Sequence, residues 1–157
     1  MEKLSKELLG LSGEYAVASE LCRRGLYAQL TLGHHKQTDI LIESEEQMVR
    51  IQVKAKQNSE WPAVSGLYRQ EDILVLVDYQ NKEDERPDFY ILNLNDWKAL
   101  IEEEKDRIQG VHIDKSTWTI TYPDGWKGLN IIQAKVNNCR ESWDKIMLHG
   151  QRDSNFS

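Results

Sequence analysis

The chain is 157 residues long and 39% hydrophobic, and it carries 20 Lys and Arg against 26 Asp and Glu, a formal net charge of −6 with pI ≈ 5.3. This is the size of a single domain with a real core, expected over residues 1–150 with a disordered tail at 151–157, and no apolar run is long enough to span a membrane. Cys22 and Cys139 make no disulfide framework and the charged start of the chain does not read as a signal peptide, so a cytoplasmic protein with reduced thiols is expected.

Leu4 to Gly25 reads as one amphipathic helix. Leu8, Leu11, Tyr15, Ala18 and Cys22 recur at helical spacing and form the expected apolar stripe. Ser5 can cap the start, and Gly25 after Arg23-Arg24 is a stop signal. Gly13 costs a helix interior roughly 1 kcal/mol relative to Ala, which calls for close packing on a hairpin or close approach of a ligand. Glu14 borders the stripe, either as a solvated residue or as a functional carboxylate.

The loop Thr31 to Thr38 is polar and leads into Asp39. It either meets a partner's backbone or simply connects two strands. His34 and His35 are adjacent, so on an extended chain they face opposite ways, and no zinc-type Cys or His spacing accompanies them. Asp39-Ile-Leu-Ile and Ile51-Gln52-Val53-Lys54 are strand runs joined by a polar segment of hairpin length. Val49, Ile51, Val53 and Ala55 alternate with Arg50, Gln52, Lys54 and Lys56, so Gln52 and Lys54 share a face. A carboxylate, an amide oxygen and an ammonium can converge there, a set suited to a divalent cation and a phosphate. The plain alternative is turn chemistry at Asp39 and the wet side of a half-buried strand.

Further on, Asn58 to Gln70 reads as a loop or a brief helix, and Ile73 to Val77 as a buried central strand. Phe89 to Leu94 is a strand expected to pair with it. Asn95 or Asp96 should cap a helix running to about Gln109, with Glu102, Glu103 and Glu104 on a solvated face. Trp118 to Tyr122 is a short strand ended by the turn Pro123-Asp124-Gly125. Asn137 to His149 is expected to be a closing helix with Cys139, Trp143 and Ile146 inward. Core packing is the favoured role for the five Trp, with Trp61 and Trp126 as the two candidates for base stacking. Asp78, at the end of the buried run, is either an extra acid or a turn residue.

The order of a helix with Gly13-Glu14 and small residues, a Gly, a strand, a loop, Asp39-Ile-Leu-Ile, a turn and Ile51-Gln-Val-Lys54 resembles the PD-(D/E)XK nuclease superfamily over about residues 8–57. It is most similar to the small stand-alone branch of Holliday-junction resolvases and bacterial endonuclease-like domains. The resemblance implies a restriction-endonuclease-like α/β fold: an N-terminal helix on a central mixed β-sheet, a second helix after the third strand, and further helices in the C-terminal half. It implies a catalytic set of Glu14, Asp39, Gln52 and Lys54, with Glu14, Asp39 and Gln52 holding Mg²⁺ or Mn²⁺. A DNA substrate follows, with His34, His35, Lys36 and Lys56 as candidate backbone contacts. Gln52 departs from the Glu or Asp that most members carry, and a neutral amide can ligate Mg²⁺ but brings no charge.

Net acidity argues against nucleic-acid binding, but its distribution tempers that. Residues 1–58 hold eight Lys/Arg and eight Asp/Glu, so the whole excess of negative charge lies beyond them. A catalytically silent member of the fold that binds nucleic acid, or an accessory or immunity protein docking through the acidic second half, are the alternatives. A homodimer is compatible with each.

Overall fold

In the computed structural model, which describes residues 2–31, 38–43 and 47–146, helix α1 spans Lys6–Arg23. The Ser5 hydroxyl accepts a hydrogen bond from Leu8 N, the expected cap, and Gly25 sits at φ 85° just past the end. The buried face is not the expected stripe. Gly13, Val17 and Leu21 point inward at i, i+4 and i+8, while Leu8, Leu11 and Tyr15 are 57%, 42% and 60% exposed and Cys22 is exposed. Close approach decides this. A Cβ on Gly13 would stand 2.9 Å from the Ala55 Cβ and 3.4 Å from Val53 Cγ1. The small residues bring the helix onto the sheet where larger side chains could not fit.

The central sheet has five strands: β1 (Ala28–Leu30), β2 (Ile40–Glu43), β3 (Met48–Lys56), β5 (Ile73–Asp78) and β6 (Asp88–Leu92), in that spatial order. Pairing is antiparallel except for β3 with β5, which run parallel with Gln52 opposite Leu74 and Lys54 opposite Leu76. All six residues of β5 are buried, as its continuous apolar run requires.

Alternation in these strands makes two cores. Val49, Ile51, Val53, Val75, Val77 and Ile91 pack under α1. Leu74, Leu76, Tyr90 and Leu92 face the opposite layer, built from α2 (Leu94–Arg107), β4 (Glu60–Val64), β9 (Leu129–Ile132) and the hairpin of β7 (His112–Asp114) with β8 (Thr119–Thr121).

Several expectations are corrected in this second layer. The connection from β3 to β5 carries strand β4, paired with β9, in place of a loop or a helix. Trp61 anchors it. That side chain is 1% exposed and donates from Nε1 to the Val77 carbonyl at 3.0 Å, so it is core and offers no stacking platform. The cap of α2 is Asn93, whose side chain accepts from Asp96 N while Asp96 accepts from Asn93 N, so Asp96 is the third helical residue of a capping box. Glu104 is half-buried and accepts from Tyr122 Oη at 2.9 Å and from Arg107, which takes it off the solvated face. The closing segment forms two 3₁₀ turns, at Gln133–Lys135 and Asn137–Cys139. Arg140 then bridges to Tyr90 and Glu141 takes φ 53°, so the expected helix does not start at Asn137, and α-helical residues begin only at 144–146. Cys139, Trp143 and Ile146 are buried as expected, and the residues from 147 on lie outside those described. No described helix is long and apolar enough to cross a membrane.

Candidate active site

Asp39 is fixed where β2 and β3 part. Its N–H donates to the Ile51 carbonyl at 2.9 Å and its own carbonyl accepts from Thr31 N at 2.9 Å, so the backbone is held from both sides. Beyond the Ile40–Ile51 register the β2 ladder ends, and the Val53 N–H donates instead to Asp39 Oδ2 at 2.8 Å. A side chain thus completes the ladder, and the carboxylate is aimed along the β3 edge.

Gln52 and Lys54 project from β3 away from α1. They meet Asp39 in a cleft of about 350 Å³ whose other walls are Ser65, Gly66 and Tyr68 from the β4–β5 connection and Thr117 and Thr119 from the β7–β8 hairpin. Gln52 and Asp39 are half-buried and Lys54 is exposed. The sequence trio therefore comes together on one surface.

The walls are tied to each other through Trp97 of α2. Gly66 lies at φ 84° and a Cβ there would stand 1.9 Å from the Trp97 ring. The same ring donates from Nε1 to the Trp118 carbonyl at 2.9 Å, between Thr117 and Thr119. Sequence reasoning missed this brace. Gly66 and the two threonines carry no motif, and only the packing of a distant tryptophan connects them.

Other expected site residues fall elsewhere. Glu14 is half-buried on α1, which covers the opposite face of the sheet, and it is not in the lining of the cleft. Lys56 is corrected outright as a nucleic-acid contact. Its side chain is 1% exposed, pairs with Asp78 Oδ1 at 2.8 Å, donates to Asn58 O and Gln80 Oε1, and lies 4.8 Å from the Trp61 ring. Two residues beyond Lys54 on the same face, it meets the β4 layer and not water. Asp78 is that buried partner and also accepts from Gln80 N at 2.9 Å, the turn role. His34, His35 and Lys36 lie outside the described residues.

Among the described residues no group of three or more His, Cys, Asp or Glu could hold a metal ion. The cleft offers one carboxylate and one amide oxygen. That all-oxygen set fits Mg²⁺, which keeps several waters and binds through one or two carboxylates together with substrate phosphates.

No known family's sequence profile matches this chain, and no curated protein matches it. Among solved structures it is similar to a bacterial homing endonuclease, I-Ssp6803I, at 15% identity and TM-score 0.53, covering 99% of this chain and 100% of that one. The chain therefore has an endonuclease-like α/β fold with a helix packed on a mixed sheet.

Proposed function

We propose that this chain is a Mg²⁺-dependent deoxyribonuclease of PD-(D/E)XK type that hydrolyses DNA phosphodiesters in the Asp39–Gln52–Lys54 cleft. The observation that carries the reading is the Val53 N–H to Asp39 bond, which preorganises the carboxylate beside Gln52 and Lys54. The endonuclease-like fold supports it. Asp39 and Gln52 would hold the cation, which when bound supplies Lewis-acid polarisation of the phosphate and a lowered pKa for its water. Lys54, a compact charge on a flexible stem, orients the attacking water and offsets charge developing on the phosphate oxygens. Glu14, on α1, would be the additional ligand.

The test is cleavage of labelled single-stranded, duplex, flap and four-way-junction DNA with Mg²⁺ or Mn²⁺. Metal-dependent cutting is expected, falling on the order of 10²-fold or more in Asp39→Ala and Lys54→Ala, with a smaller loss in Glu14→Ala. A folded wild type that cuts nothing would overturn the reading and leave a silent, DNA-binding member of the fold, the alternative that the neutral Gln52 favours.

A further inference from the structure

The cleft does not end at the catalytic trio. Thr117 and Thr119 also wall a second trough of about 560 Å³ that runs over the outer face of the β7–β8 hairpin to Tyr122. Cross-strand register sets what that face displays. His112 pairs with Thr121 and Asp114 with Thr119, so these four side chains stand on one side while Ile113 and Ile120 are buried on the other. Lys127 joins them through its bridge to Thr121 and is exposed. The Thr117 and Thr119 hydroxyls are 2.9 Å apart. Asp114, the acid on this face, already accepts from Ser116 N and Oγ at 2.9 and 2.7 Å, which holds its carboxyl below the usual range.

We propose that this hairpin face is the seat of the DNA backbone flanking the scissile phosphate. The inference rests on the nuclease reading for its occupant and extends it to a surface no motif marks. Two observations favour a phosphodiester chain: the trough is continuous with the cleft through Thr117 and Thr119, and its hydroxyl donors, imidazole and ammonium outnumber its carboxylate, Asp114, which is already bonded to Ser116. Hydroxyl and ammonium donors to phosphate oxygens position a duplex without reading its sequence.

The measurement is equilibrium binding of a labelled duplex in chelator, where no cutting occurs, across a salt series. The proteins are wild type, Lys127→Ala, the Thr119→Val/Thr121→Val double variant, and Lys105→Ala on α2 as a charge-matched control. Valine keeps the branched shape and deletes only the hydroxyl, and Lys127 and Lys105 are exposed, so the fold stays intact. The inference expects roughly tenfold weaker binding in the hairpin variants, a salt slope reduced by about 1 in Lys127→Ala, and wild-type affinity in Lys105→Ala. Hairpin variants that bind like wild type, or a control that weakens equally, would overturn it. A wild type that binds in chelator but never cuts when Mg²⁺ is supplied sinks only the nuclease reading, while one that binds no DNA in chelator sinks the hairpin seat and leaves the nuclease reading to the cleavage test.

Discussion

Gln52 decides how much charge the site can bring to a cation. It stands on β3 beside Asp39 in the cleft, and its amide oxygen adds no anion. Gln52→Glu would double the protein's negative charge there. If the amide oxygen is a ligand, half-saturating Mg²⁺ for cleavage should fall roughly tenfold, because ligand charge count tunes the affinity of hard cations. A Mg²⁺ titration of cleavage at constant ionic strength reads this directly, and an unchanged midpoint would remove Gln52 from the ligand set. Lys54 and Lys56 make the complementary case. They are two residues apart on one strand face, yet one is exposed and the other sealed against Asp78. Lys56→Ala strands a buried carboxylate and should cost about 3 kcal/mol of unfolding free energy. Lys54→Ala should change stability by less than about 0.5 kcal/mol. Urea denaturation of the two variants separates the structural lysine from the chemical one, and equal midpoints would contradict this assignment.

At the scale of elements, the cleft exists because α2 braces two of its walls. Gly66→Ala places a methyl group inside the Trp97 ring and forces a left-handed backbone on a residue with a side chain. A loss of at least about 2 kcal/mol is expected, together with reduced cleavage as the Ser65–Tyr68 wall shifts. A variant with wild-type stability and activity would show that the brace is slack. This brace is also where the sequence stops being legible. The β3 alternation and the β5 apolar run are local patterns with a fixed period, and the period alone suffices to put Gln52 and Lys54 on one face. Strands β4, β7 and β9 are three to five residues long, too short to show a period, and β4 contains Pro62 and left-handed Ala63. On α1 the pattern misled for a physical reason. Periodicity ranks faces by apolar bulk, and Leu8, Leu11 and Tyr15 win that ranking, but the depth of contact at Gly13 favoured the smaller face. Lys56 failed in the same way, since alternation gives a face and not what covers it.

Over the whole molecule, one charge network ties α1 to the rest of the chain. Glu20 of α1 accepts from Arg24 at 2.5 Å and from Arg86 of the β5–β6 connection at 3.0 Å. Arg86 continues to Glu141 at 2.5 and 3.2 Å, and Glu141 accepts from Trp143 Nε1 at 2.6 Å. Arg24 stacks 4.5 Å from the Trp143 ring. The Arg86 hydrogen bond, helped by Arg24, holds the Glu20 carboxyl below its ordinary 4.5 against the opposing pull of burial. At Glu141 burial pushes upward, yet the bonds from Arg86 and Trp143 outweigh it and the carboxyl is again lowered. Both groups are more acidic folded than unfolded, so their contribution is complete above pH 4.5 and is lost as pH falls through the lower folded values. Thermal melts from pH 7 to 3 should therefore hold steady and then drop below about 4.5. In Glu20→Gln/Glu141→Gln the neutral-pH stability should be lower, because Arg86 loses both anionic partners, and the acid drop should be shallower, because two of the responsible protons are gone. Melting curves that fall in parallel for wild type and double variant would place the acid sensitivity elsewhere in the chain, and the acid-independent hold on α1 would then lie in its apolar seam of Gly13, Val17 and Leu21 and the Ser12–Tyr79 hydrogen bond.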